Sequence, residues 1–501
     1  MKLSRRDLLR GVAALPLVPL LPAVSGCGDD PDPVVFVHGV ASGDPTADAL
    51  VLWTRVSTAP PGAPVEVAWE VSSDGFATRA ASGTFVTDEG RDWTVKVDVS
   101  GLAAGTRYAY RFTALGETST VGRARTAPAG SPERMRLGVA SCASFPHGYY
   151  HGYRALAGQE LDAVIHLGDY IYEYGNGEYG DVRTVEPPHE TFTLADYRTR
   201  YAHYRSDPDL QAVHAAHAFI PVWDDHELTD NSWQGGALNH QPELEGDYVD
   251  RRMAAAQAYR EWMPIRDHVD GHIYRRLTFG DLVDLYMLDT RLIGRDQQYD
   301  EGGPSLEDPA RQLLGAAQEA WLAAELPAST ARWKLVGQQV MMGQLPQFLN
   351  PDAWDGYPAA RARFFDLIEQ QAVRDVVVLT GDIHSSWAMD LARDPTDEAA
   401  YDPATGRGSL AVELVTPGIT SPGLPPALAD GALGLVAGNR HLEFAELSRR
   451  GFIVLELERE RLEAAWHLFE EEQIADPTPQ APRVFARVEA IRGTSRLARL
   501  A

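Results

Sequence analysis

Two patterns of apolar and polar positions divide the chain. From Phe36 to about Ala127, short runs with several alternating apolar positions (ALVLWTRV, VEVAWEVSS, WTVKVDVSGL and RYAYRFTAL) are separated by Gly, Pro and Asp turns and predict strands. Helix signals are absent there. Residues 35–128 are therefore expected to form a small β-sandwich of immunoglobulin or fibronectin type. Beyond TAPAGSPERMRLGVASC the pattern changes to apolar runs alternating with helical segments. The runs MRLGVASC, DAVIHLGD, AFIPVWDDHE, LVDLYMLDTR, WKLVGQQVMM and DVVVLTGDIH predict strands. TLADYRTRYAHYR, YVDRRMAAAQAYREWM, AAQEAWLAAEL and AARARFFDLIEQQAV predict helices. Residues 129–490 thus read as a layered α/β domain. GFIVLELERERLEAAWHLFEE fits a hairpin turned near Arg459 and Glu460 at least as well as a helix.

Most of these apolar runs stop at Asp, His or Cys. In layered α/β domains, ligands bind beyond the carboxyl ends of the strands. Four stretches deliver chemistry-bearing residues to that edge: Cys142 in GVASCASF; Asp169 and Tyr172 in DAVIHLGDYIYEYG; Asp224, Asp225, His226 and Asn231 in AFIPVWDDHELTDNSW; Asp382 and His384 in DVVVLTGDIHSSW. Singly, an Asp after a strand is often a cap or turn residue, and a His often makes only a structural hydrogen bond. Together, closely held carboxylates raise one another's pKa unless a cation neutralises them. A metal cluster is the simplest reading. Thiolate with phenolate favours ferric iron, whereas Asp, Asn and carbonyl oxygens suit calcium or magnesium. No CxxC or HExxH spacing indicates zinc.

Charge and leader change the picture further. The 501 residues carry a formal charge of −26, and no Lys/Arg cluster follows the first residues, so nucleic-acid binding is not expected. Residues 1–27 contain Arg5, Arg6, a moderately apolar stretch and Val24-Ser25-Gly26-Cys27. They look like a twin-arginine export signal with a lipobox, which makes Cys27 the lipidated first residue of the mature protein. An ordinary cleaved signal or short anchor is the plainer alternative. Residues 28–34 read as a tether. With Cys27 lipidated, no disulfide is possible, and metal ligation explains the lone exported thiol of Cys142.

The blocks HGVASGDPTADALVLWTRV, ASCASF, HLGDYIYEY, VWDDHELTDN, MLDTR, DAWDGYPAAR, GDIHSSW and ELVTPGITSPG carry a resemblance. The chain resembles the PhoD-like alkaline phosphatases and phosphodiesterases, a branch of the calcineurin-like metallophosphoesterases, over nearly the whole mature sequence. The resemblance implies a four-layer αββα sandwich behind the small β-sandwich, and a cluster of Fe3+ with Ca2+, two calcium ions or other divalent metals. It places Cys142, Asp169 and Tyr172 on the iron side, with Asp169 bridging. Asp225 and Asn231 match the second metal, and Asp382 and His384 complete the set. His226 matches the superfamily histidine that meets the phosphoryl oxygen or leaving group. The motif here reads Asp224-Asp225-His226-Glu227, with Asp in place of Asn, so either Asp224 or Asp225 ligates.

These expectations amount to an exported hydrolase of phosphomonoesters or phosphodiesters, monomeric, periplasmic, cell-surface or secreted, and meeting membrane only through its lipid anchor. Phosphate-ester hydrolysis needs neutralised charge and an activated water. No covalent serine is indicated, because Ser421 in GITSPG lacks the flanks of a nucleophile elbow. Arg291 is a candidate for phosphate contact or for a structural salt bridge, and Trp387 for the pocket wall or for core packing. GNGEYG, 175–180, matches GxGxxG but has no helix behind it and reads as a loop. His441 lines the site or serves packing. A phospholipase D and a non-catalytic surface-binding protein are the alternatives.

Overall fold

The computed structural model describes residues 35–57, 59, 62–299, 305–347 and 350–500. The leader, including Cys27, and most of the tether lie outside them. Each predicted strand run forms a strand, those of the first part with alternating exposed positions, such as Arg107–Ala114, and several of the later ones covered on both sides. Ala163–His166, Ala218–Pro221, Val283–Met287 and Val376–Thr380 are buried at every position. Such continuous burial is what parallel strands require.

Two sheets carry the larger part of the chain. A ten-stranded sheet runs in the order 497–499, 483–491, 461–469, 450–458, 134–140, 163–166, 218–221, 40–43, 49–55, 94–100. Its middle strands 134–140, 163–166, 218–221 and 40–43 are mutually parallel. A seven-stranded sheet has the order 275–279, 283–287, 333–337, 376–380, 409–415, 386–392, 442–446, with 283–287, 333–337, 376–380 and 409–415 parallel. Alternation along its strands sends side chains to two cores. Leu285, Leu335, Val377 and Leu379 join the cluster that also holds Val139, Ile165 and Ile453 of the larger sheet. Tyr286, Val336, Val376 and Val378 face a second cluster with Leu322, Leu326, Phe364 and Ile368 of helices Ala316–Ala328 and Pro358–Gln370. The segment read as hairpin or helix is a hairpin, Arg450–Glu458 paired with Arg461–Phe469.

Residues 65–125 build a five-stranded sheet from 65–72, 81–87, 107–114, 117–118 and 122–125. Val65, Val67, Tyr110 and Phe112 of that sheet share a core with Leu50, Leu52, Val95 and Val99. Those last four residues belong to strands of the ten-stranded sheet, so the expected sandwich is not free-standing. The junction is tight. Gly43 approaches the carbonyl oxygens of Pro264 and Phe219 so closely that a Cβ would lie 2.0 and 2.7 Å from them. Asp44 pairs with buried Arg275 at 2.6 Å, and Trp53 Nε1 donates to the Glu261 carbonyl at 2.8 Å. From Val35 onward the chain is consequently one compact unit.

Candidate metal centre

Four of the parallel strands end where the sequence changes from apolar to polar, and their following loops meet. The Cys142 amide donates to the Gly168 carbonyl at 3.0 Å and the Ala143 amide to that of Asp169 at 2.8 Å. Gly168 has φ 101°, and a Cβ there would stand 2.4 Å from Asp224, so only glycine lets the two loops approach. Glu227 clamps the same loops. Its Oε2 accepts the amides of Asp169 at 2.9 Å and Asp224 at 2.8 Å, and its Oε1 accepts that of Tyr170 at 2.7 Å. Burial, then the Asp169 carboxylate, push Glu227 up to about 8.

Backbone strain concentrates here. Cys142, Asp169, Asn231, Asp382 and His384 have φ of 58°, 54°, 53°, 61° and 54°. Each left-handed non-glycine residue costs about 1–3 kcal/mol and persists where surrounding structure imposes it, commonly at functional sites.

Three sets of ligand atoms converge to within 4.8 Å of one another: Cys142 with Asp169 and His384; Asp169 with Asp225 and His226; Asp224 with Asp225 and Asp382. Tyr172 belongs with the first set, since its hydroxyl donates to Asp169 Oδ2 at 2.9 Å and lies 3.1 Å from His384 Nε2. Ser421 Oγ supports it at 2.7 Å. Asp169 Oδ1 and Asp224 Oδ2 are buried without a hydrogen-bond partner. Such orphaned oxygens suit a cation. Burial, and then the Asp169 carboxylate, push the Cys142 thiol well above its usual range. Burial also pushes Asp382 up to about 8 and, with Asp225 adding repulsion, Asp230 up to about 7. Cations at this point would reverse those shifts and ionise the thiol. A donor set of thiolate, phenolate, imidazole and carboxylates therefore fits metal ions.

Of the two roles expected for Arg291, the structure shows the salt bridge. Arg291 is fully buried: its Nε binds Asp224, Nη1 reaches both oxygens of Asp352 at 2.8 and 2.7 Å, and Nη2 meets Asp382 at 2.7 Å. Its charge stands among the carboxylates as an internal counterion. Against the cost of burial, Arg291 and His226 hold Asp225 down at about 2, while burial leaves Asp224 raised.

A cavity of about 680 Å³ opens over the cluster, lined by Asp169, Asp225, His226, Asn231, Asp382 and His384, but not by Asp224. His226 is fixed from behind: its Nδ1 lies 2.7 Å from Glu173 Oε2, and its ring stacks on Tyr172 at 4.2 Å between centroids. Glu173 also accepts the Asp230 amide at 2.7 Å. Against the cost of burial, Glu173, Asp225 and Asp169 raise the His226 pKa. GNGEYG is a loop, as expected, and contributes Tyr179 to the cavity wall. Trp387 packs in the second core and also lines a neighbouring cavity. His441 lines neither of these cavities and bonds the Gln344 carbonyl at 2.8 Å, so its role is packing.

Comparison with known proteins identifies the family. The model of the PhoD-like phosphatase family matches residues 137–466, and that of the PhoD-like phosphatase N-terminal domain matches residues 23–128. Alkaline phosphatase D of Bacillus subtilis (strain 168) is 41% identical over 387 residues, covering 72% of this chain and 66% of the relative, just under two thirds of its length. A solved structure of PhoD superposes with a TM-score of 0.84 at 36% identity, covering 93% of this chain and 92% of that one. With both family models matched and the loops converging on one cluster, the chain belongs to the PhoD-like phosphatase family.

Proposed function

We propose that the protein is an exported, metal-dependent phosphoesterase that hydrolyses phosphomonoesters, phosphodiesters or both, with Fe3+ and Ca2+ as its ions. The observation that carries the reading is Asp169. It belongs to two of the three converging ligand sets, has a buried, unpartnered Oδ1, and sits between Cys142, Tyr172 and His384 on one side and Asp225 and His226 on the other. Cys142, Tyr172, Asp169 and His384 would hold the ferric ion, and Asp169, Asp225, Asn231 and Asp382 calcium. Asp225 rather than Asp224 is the ligand of the pair, because it lines the cavity and belongs to two sets. The opposite-facing cores of the seven-stranded sheet support the αββα layering that accompanies this chemistry.

Ions in this cluster would neutralise phosphoryl oxygens and ionise water near neutral pH. The chain's own residues then do three things. The carboxylates and the positive-φ loops fix the cluster before substrate arrives. Glu173 holds His226 Nδ1–H, leaving Nε2 as the nitrogen that meets a phosphoryl or leaving-group oxygen. In the hydrolysis a water oxygen bonds to phosphorus, the phosphorus–oxygen bond to the leaving group breaks, and the departing oxygen takes up a proton, for which Nε2 is the nearby donor. Tyr172 and Tyr179 shield the ring of His226 from solvent.

Hydrolysis of a chromogenic monoester and diester by the mature protein, with and without chelator, tests the reading. Activity lost on chelation and in Asp169→Asn is expected; full activity in that variant overturns it. Among the described residues no helix is long and apolar enough to cross a membrane. Cys27, in the leader, is the proposed point of lipid attachment. Mass spectrometry of the mature N-terminus tests that, a diacylglyceryl Cys27 being expected and an unmodified terminus contrary.

A further inference from the structure

A second cavity, of about 460 Å³, adjoins the one over the cluster and shares Asn350, Asp382 and His384 with it. That volume is ordinary for a small-molecule pocket. Its remaining wall is of a different kind. Met341, Leu345, Ile383, Trp387, Val436 and Leu447 supply apolar surface. The polar groups among them are already satisfied: Trp387 Nε1 donates to Ser385 Oγ at 2.8 Å, and Asp355 is paired with Arg361 at 2.6 Å. A wall whose donors and acceptors are occupied has nothing to offer a sugar, a nucleotide or a second phosphate. It does offer apolar area to a group that extends from the phosphoryl centre past His384. Leu424, 42% exposed, belongs to the same wall and connects it to the surface.

We propose that this cavity is a subsite for an apolar alkyl substituent of the phosphoester, so that the enzyme selects substrates whose organic group is hydrocarbon where it meets His384. The proposal rests on the phosphoesterase reading above. Each methylene buried in such a wall strengthens binding roughly fourfold, and burial of apolar surface gives a negative heat-capacity change.

The test is calorimetric titration of the metal-loaded protein with methyl-, butyl- and octylphosphonate, which carry a phosphoryl head, one alkyl group and no cleavable ester. Butylphosphonate is expected to bind about fiftyfold more tightly than methylphosphonate, octylphosphonate more tightly still, with increasingly negative heat-capacity changes. Ala432→Trp, which places an indole in the cavity from the helix Pro426–Val436, is expected to collapse the octyl-to-methyl ratio. Leu424→Asp, at an exposed position, gives a second variant expected to lower the ratio without demands on the core. Methylphosphonate binding with no chain-length dependence, or an unchanged ratio in both variants, overturns the subsite while leaving the phosphoesterase reading intact. No binding of methylphosphonate together with no ester hydrolysis overturns both.

Discussion

Glu173 Oε2 stands 2.7 Å from His226 Nδ1, the carboxylate buried behind the imidazole that lines the cavity. The carboxylate fixes which ring nitrogen carries its proton inward and which faces the cavity. Glu173→Gln keeps the shape but loses the charge. It is expected to lower kcat by roughly 10–100-fold with little change in KM, measured on a chromogenic phosphoester. Unchanged kcat would mean that His226 is held by its tyrosine neighbours alone.

Arg291 is the counterion of Asp224, Asp352 and Asp382. Removing one partner of a buried ion cluster leaves uncompensated charge and costs about 3–5 kcal/mol. Arg291→Met is therefore expected to lose that much stability by urea unfolding in the presence of chelator. With metal restored the loss should shrink, because the ions take over part of the neutralisation. An equal loss in both conditions would show that Arg291 and metal ions do not share the same carboxylates.

Gly43 lies where the N-terminal part, residues 35–128, enters the ten-stranded sheet, and a Cβ there would lie 2.0 Å from the Pro264 carbonyl oxygen. Backbone cannot step aside as a side chain can. Gly43→Ala is expected to cost about 1–3 kcal/mol in denaturant unfolding, with one transition displaced as a whole. Two separated transitions would instead show that the small sandwich unfolds by itself.

Asp390 is buried on the strand Ser386–Ala392 and belongs to none of the three ligand sets. It accepts the Tyr401 hydroxyl at 2.9 Å and the Leu497 amide at 2.8 Å, with Glu443 and Arg496 facing it. Burial pushes it up from 3.8 to about 7. A carboxyl whose folded pKa is raised binds its proton more tightly in the folded state. Its contribution is complete below about pH 4 and is lost as pH rises through about 7, a difference on the order of a few kcal/mol. Asp390→Asn, measured by denaturant unfolding from pH 5 to 8, should lose less stability over that interval than the wild type. A parallel pH dependence would contradict the assignment.

Most candidate ligand residues were legible because they follow an apolar run that stops abruptly, as Val376–Thr380 stops before Gly381 and Asp382. A strand edge leaves a local signature. Glu173, Glu227 and Asp352 leave none: their importance comes from amides and a guanidinium brought to them in the fold, though all three lie within blocks that carry the family resemblance. The burial of Arg291 was invisible for the same reason. Strand Ser386–Ala392 went unread because it opens on Ser386 and contains Asp390, both buried and hydroxyl or carboxyl in character. The sheet shared between the two parts depends on pairing residues 42–43 with 218–219, which no local pattern encodes.

The sharing of Asp169 between two ligand sets is tested most directly by elemental analysis of folded, exported protein in three forms: wild type, Cys142→Ser and Asp169→Asn. The wild type is predicted to hold iron and calcium. Cys142→Ser should lose iron and keep calcium, and Asp169→Asn should lose both. An Asp169→Asn protein that keeps the full metal content of the wild type would contradict a bridging Asp169 and the cluster built around it.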